Sequence, residues 1–123
     1  MLPKSPMIDK RIMKTTLLWI WKNWNWEDTW GWDFPMVAMT ASRLGMNNMA
    51  FEALLMPVKS NTYLNNGHNY QDNRLTIYLP GNGGLLSAIA MMCSEWGKNA
   101  KKGQKISFTN GWVFKWEGFK NMY

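Results

Sequence analysis

The sequence predicts a mainly α-helical chain with a short β-hairpin at its C-terminal end. Apolar residues recur at helical spacing early in the chain, and Gly and Pro divide the next part into short helical segments. Near the C-terminus, apolar residues alternate with polar ones, as they do in a β-strand. The length of 123 residues allows one domain at most. We therefore expect a helical segment over 1–96 and a β-hairpin tail over 97–123.

The first helix is predicted over about residues 6–22. Ser5 and Pro6 are typical of a helix start, with Ser as the N-cap and Pro at the first helical position. Asp9 then falls in the first turn, where a carboxylate interacts favourably with the helix dipole. The apolar residues that follow at roughly helical spacing include Ile8, Ile12 and Trp19.

Two short helices are predicted after a structured loop over residues 24–35. Asp33 is a candidate cap for a helix that begins near Pro35 and runs to Leu44, and Gly45 stands at the usual C-terminal stop. Either Asn47 or Asn48 would cap the next helix, which ends before Pro57. Two helices joined by so few residues predict an antiparallel helical hairpin.

A long connection rich in Asn and Gly is predicted over 57–84, and a loop of that length is usually functional. The next helix is predicted over 85–96 and has no polar face, which indicates burial on all sides. The run Pro80-Gly81-Asn82-Gly83-Gly84 would open this helix, either for close packing or to turn helix amides towards a ligand. The tail predicts a β-hairpin over 104–116, because Asn110-Gly111 is a strong hairpin turn.

The chain carries more apolar surface than its own helices can cover. Nine Trp residues and a helix without a polar face need neighbours that a few short helices do not supply. We expect residues 1–123 to form a single partial domain. Its exposed surface would be covered by the rest of a larger helical domain or by self-association, and the chain alone should aggregate or remain loosely packed.

Composition excludes several classes of protein. The net charge of +6 comes from the two ends, because residues 1–22 carry +4, residues 97–123 carry +5 and residues 23–96 carry −3. That distribution argues against a nucleic-acid partner. One Cys and one His allow neither an internal disulfide nor a structural zinc site, so we expect no metal and no cofactor. We also expect no membrane span, no signal peptide and an inert Cys93.

Carboxylates and indole rings are interleaved in one short segment. Glu27, Asp28 and Asp33 lie within seven residues, among Trp24, Trp26, Trp30 and Trp32. Trp faces can stack on a pyranose ring, and a neighbouring carboxylate can activate water or hold sugar hydroxyls. The alternatives are that Asp33 only caps a helix, that Asp28 is only solvated and that several Trp residues belong to the core.

A second candidate segment is the loop Asn66-Gly67-His68-Asn69-Tyr70-Gln71. Its neutral donors and acceptors suit a ligand rich in hydroxyl groups. The alternative is a simple Asn-Gly turn with a packed His68. If both loops serve one site, 24–35 and 66–71 should converge at one end of the helices. The candidate substrate-binding residues are Trp30, Trp32, Asn66, His68, Asn69, Gln71 and Asn82.

Four segments together resemble the C-terminal portion of large (α/α)6-barrel glycoside hydrolases, the six-hairpin enzymes abundant in gut Bacteroidetes. They are WNWEDTWGWDFPMVAMTASRLGM, ALLMPVKSNTYLNNGHNYQ, YLPGNGGLLSAIAMMC and WVFKWEGF. The resemblance implies a partial (α/α)6 barrel made of the last helical hairpins, with a glycoside or oligosaccharide as substrate. By position, Asp33 or Glu27 would be the catalytic base, while the acid-bearing region is absent.

The resemblance also implies a periplasmic or secreted parent enzyme, although this chain carries no signal that shows it. We expect the chain to be inactive alone. The alternative is a small carbohydrate-binding or protein-interaction module that uses the same Trp and Asn residues.

Overall fold

The computed structural model describes residues 6–93, and this part of the chain is mainly helical, as predicted. Its helices are α1 (Lys10–Asn23), α2 (Asp33–Arg43), α3 (Asn47–Leu54) and α4 (Leu79–Cys93). Strands β1 (Thr62–Tyr63) and β2 (Asn69–Tyr70) form a small antiparallel pair. The predicted hairpin at 104–116 and the end of the predicted helix 85–96 lie outside the described residues. None of the helices within 6–93 is long and apolar enough to cross a membrane.

Helix α1 begins four residues later than predicted. Its N-cap is Asp9, whose carboxylate accepts hydrogen bonds from the backbone N–H groups of Arg11 (2.7 Å) and Ile12 (3.2 Å). The start at Pro6 is therefore wrong. Both Ser5 and Asp9 are good capping residues by type, and the carboxylate of Asp9 satisfies two of the unpaired donors of the first turn.

The connection between α2 and α3 confirms the predicted stop at Gly45. This glycine has φ +77°, and its N–H donates to the carbonyl of Ser42 at 3.0 Å. The N–H of Met46 donates to the carbonyl of Ala41 at 2.9 Å, which completes a Schellman motif. The prediction that Asn47 or Asn48 caps α3 is wrong, because Met46 holds the cap position and no side chain caps the helix.

The core lies where α2 packs against α3 and α4, and α1 adds Leu17 to it. Small side chains dominate the contact, and their size allows the helix backbones to approach closely. The buried members are Leu17, Val37, Ala38, Ala41, Ala50, Ala53, Ala88 and Met92.

Helix α4 begins at Leu79, six residues before the predicted start. Pro80 is tolerated there because an N–H in the first turn has no partner within the helix. The glycine-rich run 80–84 is thus part of the helix instead of a loop before it. Within the described chain α4 is buried on one side only, because Leu86 is 69% exposed while Ala88 is buried.

Candidate functional site

The segment between α1 and α2 carries the candidate carboxylates on two consecutive turns. The first is a 3₁₀ turn over Trp26–Asp28, where the side-chain amide of Asn25 donates to the carboxylate of Asp28 at 2.6 Å. Glu27 and Asp28 are both exposed there. Trp26 turns inwards and packs against the core, with its ring centroid 5.9 Å from that of Phe34. The expectation that some of these Trp residues belong to the core is confirmed for Trp26.

The second turn fixes the position of Asp33. The N–H of Asp33 donates to the carbonyl of Trp30 at 2.9 Å, and the N–H of Trp30 donates back to Oδ2 of Asp33 at 2.8 Å. The predicted role of Asp33 as N-cap is wrong, because Asp33 is the first residue of α2 and Trp32 holds the cap position. Its carboxylate instead closes the preceding turn, as the acidic residue of a capping box does.

Gln71 joins the two candidate loops. Its Oε1 accepts a hydrogen bond from the N–H of Gly31 at 2.7 Å, and its Nε2 donates to the carbonyl of Thr29 at 3.3 Å. The two bonds span 40 and 42 residues of sequence, so they are tertiary contacts. The predicted convergence of the two loops is confirmed, and Gln71 acts on the backbone that carries Trp30.

Asn69 is completely buried at the centre of this junction. Its Nδ2 donates to the carbonyls of Ser60 (3.0 Å) and Thr62 (3.1 Å). Its Oδ1 has no hydrogen-bond partner within the described chain and fills the space that a Cβ atom would need at Gly31 and at Gly81. The amide of Asn69 is thus used inside the protein, and we do not include this residue in the ligand-binding surface.

Asn82 connects the loop to α4. Its Oδ1 accepts the N–H of Asn69 at 2.8 Å, and its Nδ2 donates to the carbonyl of Gly67 at 2.7 Å. Asn69, Gln71 and Asn82 together form a set of buried or half-buried side-chain amides that we call the amide cluster. It binds the turn around Gly67 and the loop around Gly31 to the N-terminal end of α4.

Asn66 and His68 lie at the edge of this junction. The exposed side chain of Asn66 accepts the N–H of His68 at 3.0 Å, which is the Asx turn expected from the Asn-Gly pair. Gly67 has φ +83° at the tip of the turn. Nδ1 of the half-buried His68 has no hydrogen-bond partner within residues 6–93, but this atom is itself shielded from solvent.

Two Trp side chains remain exposed around Asp33. Trp30 is 44% exposed and Trp32 is 54% exposed. The Trp30 ring lies beside the ring of Tyr78, with centroids 5.5 Å apart and an interplanar angle of 49°. Burial raises the pKa of Tyr78, and the negative charge of Asp33 raises it further. We call Trp30, Trp32, Asp33 and Tyr78 the aromatic–carboxylate surface.

Sequence reasoning missed three contributors to this arrangement: Gly31, Tyr78 and Gly81. An isolated glycine between two Trp residues is a signal of close backbone approach that could have pointed to Gly31. Gly81 stands out in the sequence only as one member of a glycine-rich run. Nothing in the local sequence distinguishes Tyr78, because its position beside Trp30 depends on tertiary packing.

Metal and thiol chemistry find no support in the described part of the chain. Within residues 6–93, no three His, Cys, Asp or Glu side chains lie close enough together to hold a metal ion. Burial raises the pKa of the Cys93 thiol, which keeps it in the unreactive protonated form. The chemistry available here is that of carboxylates, aromatic rings and neutral amides.

Comparisons with protein families, with curated proteins and with solved structures find no match for this chain.

Proposed function

We propose that this chain forms part of the catalytic barrel of a glycoside hydrolase, and that the aromatic–carboxylate surface belongs to its sugar-binding and hydrolytic site. One observation carries the proposal. Trp30 and Trp32 are exposed beside Asp33 on a loop that Gln71 holds in place through two tertiary hydrogen bonds. Large aromatic side chains held in contact with water beside a carboxylate are typical of a binding surface.

The substrate class follows from the chemistry of the surface. An indole face offers apolar area of the kind that covers the apolar face of a pyranose. Asn66, on the neighbouring turn, has an exposed neutral amide that suits sugar hydroxyls. The combination favours an oligosaccharide or a glycoside over a strongly charged ligand.

Asp33 is the better candidate for the base that activates water. Its Oδ2 is fixed by the N–H of Trp30, and its other oxygen makes no hydrogen bond within residues 6–93, so that oxygen is available to a water molecule. Glu27 remains the second candidate, although it lies on the exposed 3₁₀ turn. In the proposed enzyme the general acid comes from another hairpin of the barrel, because a glycosidase needs a pair of carboxyl groups.

A carbohydrate-binding module without hydrolysis is the second candidate function. It is favoured by the bond between Asp33 and the N–H of Trp30, because closing that turn explains the carboxylate without any catalytic role. Binding and hydrolysis therefore need separate tests.

Binding is tested by titrating the 123-residue chain with a panel of neutral oligosaccharides and following ligand signals by saturation-transfer NMR. Trp30→Ala and Trp32→Ala should each weaken binding by about tenfold, as loss of an aromatic anchor does. Trp19→Ala is the matched control, because Trp19 is at least as exposed as Trp30 and Trp32 but lies on α1. An equal loss of affinity in all three variants would contradict a sugar site at this surface.

Hydrolysis is tested with Asp33→Asn in the complete barrel. Asn can still accept the N–H of Trp30 but cannot take a proton from water, so kcat should fall by about 10²–10⁴-fold while Tm changes little. If Asp33→Asn keeps normal turnover and Glu27→Gln loses it, Glu27 is the base. Normal turnover in both variants would leave only the binding function.

A further inference from the structure

Tyr78 lies where the two candidate loops meet the start of α4. Its N–H donates to the carbonyl of Asn69 at 2.8 Å, and its own carbonyl accepts the N–H of Gly81 at 3.0 Å. Its half-buried ring packs beside the indole of Trp30, with the ring centroids 5.5 Å apart. The protein therefore fixes both the backbone and the ring of Tyr78.

The hydroxyl group distinguishes Tyr78 from the other two tyrosines in the described part of the chain. The Tyr63 hydroxyl donates to the carbonyl of Gly81 at 3.3 Å, and the Tyr70 hydroxyl donates to the side chain of Asn73. The Tyr78 hydroxyl makes no hydrogen bond within the described chain and is in contact with solvent. A phenylalanine would make the same ring contact, so ring packing does not explain this hydroxyl.

The surroundings of the Tyr78 hydroxyl favour a neutral acceptor on the ligand. Burial and the negative charge of Asp33 raise the pKa of Tyr78, so the hydroxyl keeps its proton and can donate it at neutral pH. The same negative charge opposes an anionic ligand group, whereas a sugar hydroxyl is uncharged and can accept a hydrogen bond. Trp30 is 44% exposed, so its indole can hold the pyranose ring that presents such a hydroxyl.

We propose that Tyr78 is a specificity-determining residue whose hydroxyl donates a hydrogen bond to one hydroxyl group of the pyranose that stacks on Trp30. This role rests on the proposed function, because it needs a sugar at the aromatic–carboxylate surface. Stacking on an indole fixes the plane of the sugar ring, and the bond from Tyr78 selects one position on that ring. A sugar without that hydroxyl is bound less tightly, because the polar group of the site loses its partner.

The test measures dissociation constants of the 123-residue chain by saturation-transfer NMR titration. The probes are the methyl pyranosides of glucose, galactose and mannose, followed by each monodeoxy form of the one that binds most tightly. Tyr78→Phe should bind the intact sugar about fivefold less tightly, which is the contribution of one neutral hydrogen bond. One monodeoxy sugar should show the same loss with the parent chain and no further loss with Tyr78→Phe, because the bond is already absent.

Tyr63→Phe is the matched control, because it removes a hydroxyl that is already used inside the protein. It should lower Tm by about 3–5 °C and leave the sugar affinity unchanged. Tyr78→Phe should show the opposite pattern, with weaker binding and an unchanged Tm. Tyr78→Leu should weaken binding further than Tyr78→Phe does, because it also removes the ring that packs beside Trp30.

Four results would overturn this role of Tyr78. The first is an unchanged sugar affinity in Tyr78→Phe, and the second is an equal loss of affinity in Tyr63→Phe. The third is a lower Tm of Tyr78→Phe in the complete barrel, which would show that another hairpin accepts the hydroxyl. The fourth is a parent chain that binds none of the three methyl pyranosides. The oligosaccharide panel then decides separately whether the proposed function fails as well.

Discussion

The α2–α3 contact and the amide cluster both remove side chains from water, but different interactions hold them together. Between α2 and α3 the contacts are apolar and involve small side chains such as Ala41, Ala50 and Ala53. In the amide cluster, Asn69 has no solvent exposure and is held by hydrogen bonds to the backbone carbonyls of Ser60 and Thr62. The first region is stabilised mainly by removing apolar surface from water, and the second by satisfying buried polar groups.

The difference implies different responses to mutation. Dispersion and apolar burial are summed over many weak contacts. The loss in the free energy of unfolding therefore increases gradually with the number of apolar atoms that a mutation removes. A buried amide has few partners. A change that leaves a carbonyl without a donor, or that places two oxygen atoms against each other, therefore costs the full desolvation free energy of those buried groups. The amide cluster should therefore tolerate even isosteric changes less well than the α2–α3 pair tolerates truncation.

The sharpest test of this contrast is Asn69→Asp, which preserves shape and replaces the donor Nδ2 with an oxygen. That oxygen would face the carbonyls of Ser60 and Thr62, which lie 3.0 and 3.1 Å from Nδ2. At neutral pH we expect a loss of about 4 kcal/mol in the free energy of unfolding, measured by urea denaturation, because a buried carboxylate without donors is strongly disfavoured.

The pH dependence of the same variant provides its control. Burial should raise the pKa of the introduced carboxyl above the unfolded value of about 3.9. A raised pKa means that the folded state binds the proton more tightly, so the penalty due to charge is absent below about pH 4 and grows as the pH rises towards the folded pKa. A smaller loss remains at low pH, because the single O–H of the acid can replace only one of the two bonds to Ser60 and Thr62. A destabilisation of Asn69→Asp relative to the parent chain that is the same at acidic and neutral pH would show that the aspartate is solvated.

The second prediction tests the close approach of backbone to Asn69. Gly31→Ala would place a Cβ atom 2.8 Å from the carbonyl oxygen of Ser60 and 2.9 Å from Cγ of Asn69. Because one of these atoms belongs to the backbone, neighbouring segments must move. We therefore expect a loss of about 3 kcal/mol in the free energy of unfolding. Chemical denaturation measures the loss.

Gly83→Ala is the matched control for Gly31→Ala. Apart from its chain neighbours and the backbone of its own helix, no atom lies within 4 Å of a Cβ at Gly83, which is an exposed residue inside α4. There we expect a gain of about 0.5–1 kcal/mol, because alanine favours the helix and restricts the unfolded chain. Similar losses at both glycines would show that crowding around Asn69 is not the cause.

The two regions also differ in how well the sequence predicted them. Helices α2 and α3 and the stop at Gly45 follow from local signals: apolar periodicity and a glycine after the last helical residue. The sequence did not indicate the internal role of Asn69. Asn65 and Asn66 lie in the same loop and are exposed, and nothing local distinguishes them from Asn69. Its role depends on two glycines, Gly31 and Gly81, that are distant in sequence.

The same reasoning applies to the candidate site. Sequence patterns correctly predicted that the loop around Trp30 and the loop around Gln71 converge. They did not predict that Gln71 and Asn82 would bind backbone instead of facing a ligand. An amide side chain suits a sugar hydroxyl and a peptide group equally well, so its residue type does not reveal which of them it contacts.

In the apolar α2–α3 pair, Val37→Ala should lower the free energy of unfolding by about 2 kcal/mol, the loss expected when a buried aliphatic side chain is shortened. Val37 is buried in the α2 contact and makes no polar interaction through its side chain. Urea denaturation should show the same loss at pH 4 and at pH 7, because no titratable group is involved. A loss larger than that of Asn69→Asp at neutral pH would reverse the comparison between the two regions.

The smallest effect is expected where both regions should respond alike. Gly45 links α2 to α3 with φ +77°, Gly67 forms the turn beside the amide cluster with φ +83°, and a Cβ atom at either glycine would meet no atom within 4 Å. Gly45→Ala and Gly67→Ala should therefore each cost only the backbone energy of a left-handed alanine, about 1 kcal/mol. Asparagine tolerates this conformation better, so Gly45→Asn and Gly67→Asn should lose less than the alanine variants. Denaturation of the four variants checks the result.

If Gly67→Ala costs at least twice as much as Gly45→Ala, the turn transmits its strain through the bond from Asn82 to the Gly67 carbonyl, and the amide cluster extends to the tip of the loop.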